Sequence, residues 1–111
     1  RDPSIRGVLA DPVGSTMGGG EHAAYAIEGI GNDFVADTMD MGLVDEVIKV
    51  NDDQAYGASR ELARKEGVFA GSSSGAALFA ALRVAERIDH GTVVTLFPDR
   101  GDRYFSEHLY E

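Results

Sequence analysis

The feature that most constrains this chain is a run of small residues at positions 67–77, with the sequence GVFAGSSSGAA. A short apolar segment leads into a glycine/serine turn, and the turn opens an alanine-rich helix. Ser73 and Ser74 stand where an N-cap residue is expected, and the free N–H groups at a helix start can bind a polar ligand. The run therefore predicts either a plain serine-capped strand-to-helix turn or a ligand site built on that turn.

Composition narrows the class of protein. The 111 residues make at most one domain, and the 43% of hydrophobic residues are enough for a core. A formal charge of -9 disfavours nucleic acid and anionic membranes as partners, since no basic stripe is present to neutralise phosphates. The absence of cysteine excludes disulfides and thiolate metal sites, and no metal site is predicted. No apolar run of membrane-spanning length and no signal peptide is found, so a cytoplasmic setting is expected.

Hydrophobic patterning predicts strands alternating with helices. The predicted strands are 5–10, which Asp11 and Pro12 should end, 46–50 and 92–97. The predicted helices run from an Asn51 cap to Glu66, with Gly67 at C′, and over 74–88, with short helical turns in 37–43 and 104–109. This order predicts an α/β fold with a mostly parallel sheet between helical layers. Three or four strands are few for such a sheet, so the chain is interpreted as part of a larger domain.

Two glycine-rich segments leave alternatives open. The loop at 14–20 contains three consecutive glycines, but it lacks both a lysine and a regular Gly-x-Gly-x-x-Gly spacing, which favours a surface loop over a phosphate site. Gly29 and Gly31 flank Ile30, beside Tyr25 and Glu28. That arrangement predicts either a plain turn or a pocket wall where the backbone approaches a ligand closely.

One enzymatic alternative is a hydrolase. Residues 71–75 match the Gly-x-Ser-x-Gly nucleophile motif, and Asp99 or Asp102 and then His108 follow in the required order. Three serines in a row make a chance match easy, however, and that fold needs more strands than 111 residues supply. His108 also stands on the predicted terminal helix, where a solvated histidine is the ordinary case.

Four motifs in register carry a resemblance over nearly the whole chain. They are DPVGS at 11–15, YAIEGIG at 25–31, EGVFAGSSSGAA at 66–77 and PDRGDRY at 98–104. Each is weak alone, but together they resemble the C-terminal part of the fold type II pyridoxal-phosphate enzymes, in the cysteine synthase and cystathionine β-synthase family. The resemblance implies a three-layer αβα fold of the tryptophan synthase β type, with residues 1–111 as the last segment of its large cofactor-binding domain.

The resemblance also implies site residues. Ser73 would bond the pyridine nitrogen of pyridoxal 5'-phosphate, with Gly71 and Asp99 also at the cofactor. Glu28, Gly29 and Gly31 would line the substrate pocket. The family's Schiff-base lysine lies in a Ser-x-Lys-Asp motif, and neither lysine of this chain has that context. That lysine and the phosphate-binding loop are therefore expected outside this segment, which alone should be inactive.

For the whole enzyme, the resemblance implies β-replacement on an activated serine by a thiol, in a homodimer. PDRGDRY favours cysteine synthase, which joins O-acetylserine and sulfide, and this is the narrowly preferred interpretation. DPVGS favours cystathionine β-synthase, which uses homocysteine. A third alternative, from another class, is a non-catalytic α/β module that binds a small anion at its glycine/serine turn.

Overall fold

The computed structural model describes residues 2–111, apart from the side chain of Glu107. Its elements, in chain order, are β1 (Val8–Pro12), a 3₁₀ turn (Met41–Leu43), β2 (Glu46–Val50), α1 (Asp52–Glu66), α2 (Ser72–Ala85) and a second 3₁₀ segment (Gly101–Glu107). No helix among these is long and apolar enough to cross a membrane.

The sheet consists of β1 and β2, which pair in parallel from Val8 opposite Glu46 to Pro12 opposite Val50. The predicted α/β class with parallel pairing is confirmed, and β2 has its predicted bounds. The predicted bounds 5–10 of the first strand are wrong, because it runs from Val8 to Pro12, although Pro12 does end it. Pro12 is tolerated there as the last residue of the strand, where its missing N–H interrupts no further pairing.

Helix α1 forms where its sequence signals place it. The Asn51 side chain accepts from the Gln54 backbone N–H, and the Gln54 side chain accepts from the Asn51 N–H, which completes a capping box. Gly67 ends the helix in the left-handed conformation at φ 69°. Both predicted boundaries of this helix are confirmed.

Helix α2 starts earlier than predicted. Its N-cap is Gly71, in extended backbone and without a side-chain cap, so the prediction of Ser73 or Ser74 as the cap is wrong. The reason is that the serines lie inside the first turn, where all three are buried. The helix ends at Ala85 rather than 88, and the burial predicted for its first half is confirmed at Gly75, Ala76 and Ala80.

Glycine allows the two helices to approach closely. A Cβ built on Gly75 would overlap the Ala55 carbonyl oxygen and the Ser59 hydroxyl of α1. That hydroxyl donates to the Ala55 carbonyl at 3.2 Å and to the Gly71 carbonyl at 3.0 Å, which ties α1 to the start of α2. The core beside this contact consists of Ile27, Val50, Ala55 and Ala76.

The predicted strand at 92–97 forms no ladder with any part of residues 2–111. Val94 is 88% exposed and Leu96 is 76% exposed, so these apolar side chains of the segment do not pack into the core formed by residues 2–111. A strand needs a partner that supplies backbone hydrogen bonds, and periodicity alone cannot provide one. After it, residue 100 forms an isolated antiparallel bridge with Ala70.

The glycine loop at 14–20 has a buried base and an exposed tip. Gly14 and Ser15 are buried, while Gly19 and Gly20 are exposed. The prediction of a surface loop is therefore correct for the loop tip and wrong for its base.

Candidate functional site

The first turn of α2 presents three buried serines with different surroundings. The Ser72 hydroxyl accepts from the Glu28 backbone N–H at 3.3 Å. The Ser74 hydroxyl is buried and has no hydrogen-bond partner within residues 2–111. Ser73 is 2% exposed. Because buried hydroxyls are normally paired, this turn has bonding capacity that the described residues do not use.

Gly29 faces Ser73 from the segment before β2. A Cβ built on Gly29 would lie 3.8 Å from the Ser73 hydroxyl oxygen, and the residue has φ +84°, which favours glycine. Glu28 and Gly29 are both exposed. The structure thus brings together Ser73 and two of the three predicted pocket residues, across 44 positions of sequence.

Asp52 holds this segment in place, and sequence reasoning missed that role. Its carboxylate accepts from the Ala26 N–H at 2.9 Å and from the Ile27 N–H at 3.2 Å. In sequence Asp52 is a first-turn acid of α1, a position that stabilises the helix by itself. Its hydrogen bonds to Ala26 and Ile27, which lie 26 and 25 residues earlier, become visible only in the three-dimensional structure.

Gly31, the third predicted pocket residue, lies on the wall of a cavity of about 530 Å³. Leu9 and Ala10 of β1, Met17 and residues 29–32 line this cavity. A Cβ on Gly31 would lie 2.7 Å from the Tyr25 hydroxyl and 2.9 Å from Pro12 Cγ, so only glycine fits without displacing a neighbour. The close approach of these groups explains the glycine at 31, and the role of residues 29–31 as a pocket wall stays a prediction.

Asp99 and Gly71 are in direct proximity. A Cβ on Gly71 would overlap Asp99 Oδ1, and the Gly71 N–H donates to the Asp99 carbonyl at 3.3 Å. Oδ2 of Asp99 accepts from the Tyr104 hydroxyl, whereas Oδ1 is buried and without a hydrogen-bond partner within the described range. Tyr104, to which the sequence assigned no definite role, therefore orients this carboxylate.

Tyr110 fixes the segment that leads into the turn. Its hydroxyl donates to the Ala70 carbonyl at 2.6 Å, and its ring contacts Phe69 with centroids 4.4 Å apart. Burial raises the pKa of the Tyr110 hydroxyl above its ordinary value of 10, so it remains a donor throughout the neutral range.

The hydrolase alternative gains no support from these contacts. His108 Nδ1 pairs with Glu111 in the exposed tail rather than with a serine. No cluster of three or more metal-ligating side chains is found in the part of the chain that the structure describes. The arrangement instead offers a helix start with a buried serine opposite Gly29.

Comparison with known proteins agrees with this geometry. A family model described as "Pyridoxal-phosphate dependent enzyme" matches residues 1–99. An O-acetylserine dependent cystathionine beta-synthase of Bacillus subtilis is 47% identical over 100% of this chain and 36% of its own length. A cysteine synthase of Helicobacter pylori is 41% identical over 99% of this chain and 36% of its own length.

Solved structures of proteins with the same two names are also similar to this chain. An O-acetylserine dependent cystathionine beta-synthase from Helicobacter pylori superposes with a TM-score of 0.88 at 41% identity, over 98% of this chain and 36% of that one. A cysteine synthase from Entamoeba histolytica has a TM-score of 0.92 at 32% identity, over 98% of this chain and 33% of that one. The chain thus spans about a third of the length of these relatives. With the family model matched over residues 1–99, the chain belongs to the pyridoxal-phosphate dependent enzyme family.

Proposed function

We propose that the whole protein binds pyridoxal 5'-phosphate against the start of α2 and catalyses a thiol-dependent β-replacement on O-acetylserine. The observation that carries the proposal is the buried Ser73 in the first turn of α2, opposite Gly29. The names of two relatives support the proposal, since one is an O-acetylserine dependent cystathionine beta-synthase and the other a cysteine synthase.

The residues present fit the cofactor. A pyridine ring needs one polar partner at its nitrogen and flat, small-residue surfaces around it. Ser73 offers a hydroxyl that can donate or accept, and Gly29 presents a backbone without a side chain opposite it, while Asp99 and Tyr104 fill the space beside Gly71. Ser73 would hold the ring nitrogen, and Gly71 and Asp99 would bound the same end of the site.

A serine at the ring nitrogen affects the chemistry. When bound, pyridoxal phosphate supplies the electron sink for breaking bonds at the amino-acid substrate. The neutral Ser73 hydroxyl, unlike a carboxylate, does not hold a proton on the ring nitrogen. A weaker electron sink favours loss of a β-substituent over long-lived storage of negative charge, which agrees with β-replacement.

The segment at 28–31 would form the substrate side of the site. The Glu28 N–H is held by Ser72, and Ala26 and Ile27 are held by Asp52, so the wall has a fixed position relative to α2. Glycine at 29 and 31 lets a small amino acid approach the backbone closely. We propose that this wall positions the amino-acid substrate and limits access of water.

Two thiols are candidates for the second substrate. Sulfide would give cysteine, as the name cysteine synthase and the PDRGDRY motif suggest. Homocysteine would give cystathionine, and this is supported by the 47% identity to the Bacillus subtilis protein, against 41% for the cysteine synthase of Helicobacter pylori. The homodimer and the cytoplasmic setting remain predictions.

The test uses the purified full-length protein. It should show the visible absorbance of bound cofactor. It should also convert O-acetylserine to cysteine with sulfide, or to cystathionine with homocysteine, and mass spectrometry identifies the product. The ratio of the kcat/KM values for sulfide and homocysteine decides between cysteine synthase and cystathionine β-synthase. A full-length protein that binds no cofactor would instead support the non-catalytic α/β module.

A further inference from the structure

A partly buried ion pair lies beside the glycine loop. Lys49 Nζ of β2 donates to Asp11 Oδ2 of β1 at 2.5 Å, and the two residues are register partners in the sheet. The Asp11 side chain is fully buried, while that of Lys49 is 31% exposed. Burying a carboxylate is costly, and a buried ion pair often contributes little net stability, so this pair calls for another explanation.

The pair holds the loop at two points. Lys49 Nζ also donates to the Ser15 carbonyl at 2.8 Å, and Asp11 Oδ2 accepts from the Gly18 N–H at 3.0 Å. A Cβ on Gly18 would lie 2.8 Å from that carboxylate oxygen and 2.6 Å from Val47 Cγ1, so only glycine allows this approach. The other oxygen, Oδ1, has no hydrogen-bond partner in the described part of the chain. Lys49 and Gly18 therefore supply the polar contacts of this carboxylate.

The loop in turn holds the wall of the cavity. The Ser15 hydroxyl donates to the Asn32 carbonyl at 3.0 Å and accepts from the Asn32 N–H at 3.0 Å. The Thr16 and Met17 N–H groups donate to the same carbonyl, each at 3.1 Å. Asn32 directly follows Gly31, so hydrogen bonds run from the ion pair to the segment that faces Ser73.

We infer that Asp11 and Lys49 are positioning residues, which clamp the glycine loop and through Ser15 and Asn32 fix the 29–32 wall of the substrate site. The inference rests on the proposed function for its kinetic consequence. Its structural consequence, a fixed backbone over residues 14–32, is independent of that function.

The test compares Lys49→Met with wild-type full-length holoenzyme. Lys65→Met is the matched control, because Lys65 is exposed and pairs with Glu61 on the surface of α1. In Lys49→Met we expect amide hydrogen exchange to accelerate at 14–20 and 29–32 more than elsewhere. The KM for the amino-acid substrate should rise by about tenfold, since a small displacement of positioning groups has effects of this order or larger. Cofactor occupancy and kcat should change by less than about threefold, and Lys49→Arg should recover most of the loss.

Each failure has a distinct signature. If exchange rises evenly over the chain and KM is unchanged, the pair serves stability alone and the inference is overturned. If Lys49→Met does not fold, the double variant Asp11→Asn with Lys49→Met removes both charges and is measured in the same way. If the wild-type protein has no activity on O-acetylserine, the proposed function fails, and local exchange still decides the role of the ion pair.

Discussion

Gly29 and Ser73 face each other across the candidate site, with 3.8 Å between a Cβ built on the glycine and the serine hydroxyl oxygen. Each residue lies on a segment fixed by another residue, Asp52 for Gly29 and Ser59 for Ser73. The serine therefore faces a backbone that carries no side chain.

Ser73→Ala tests the hydroxyl directly. Because alanine keeps the Cβ and removes a single oxygen atom, the change should leave the stability of the full-length protein within about 0.5 kcal/mol. The cofactor should remain bound, while its absorbance spectrum and kcat change. Ser72→Ala is the matched control, and it should destabilise the protein by about 1 kcal/mol through loss of the bond from Glu28. Unchanged kinetics together with an unchanged spectrum in Ser73→Ala would remove Ser73 from the site.

Gly29→Ser tests the pocket wall. The new side chain would enter the space beside Ser73 in a backbone conformation that disfavours it. The KM for the amino-acid substrate should rise by about tenfold or more, by crowding of the positioned substrate. Gly57→Ser provides the comparison, since nothing lies within 4 Å of its Cβ position on α1. Wild-type KM and kcat in Gly29→Ser would contradict the assignment.

Gly75→Ala tests the approach of the two helices. Its Cβ would overlap the Ala55 carbonyl, which is backbone and cannot rotate away, so about 3 kcal/mol of destabilisation is expected. Gly57→Ala, inside α1 with open space around it, should stabilise by about 0.5–1 kcal/mol. Urea unfolding of the two variants should therefore shift the midpoint in opposite directions.

Tyr104→Phe tests the support of Asp99. Loss of the hydroxyl deprives Oδ2 of its donor beside an Oδ1 that is already unpartnered, so about 1.5–3 kcal/mol of stability should be lost. The double variant Tyr104→Phe with Asp99→Ala should lose less than the sum of the single changes, as expected for a coupled pair. Additive losses in thermal unfolding would show that the two residues act independently.

Local sequence signals determined one helix, one strand and the family motifs. Asn51 with Gln54, and Gly67, set the ends of α1 because capping is a contact between residues a few positions apart. The β-branched run at 46–50 gave β2 its bounds, and the four motifs indicated Ser73, Gly29, Gly31 and Asp99 as one site.

Tertiary structure decided what depends on distant partners. The start of α2 moved from the predicted serine cap to Gly71, since packing buries all three serines, and 92–97 formed no ladder because a strand requires a neighbour. Asp11 with Lys49, and Tyr104 with Asp99, could not be paired from sequence. Their bonds depend on the parallel register and on the path of the chain after residue 97, which are set by the free energy of the whole fold rather than by local preference.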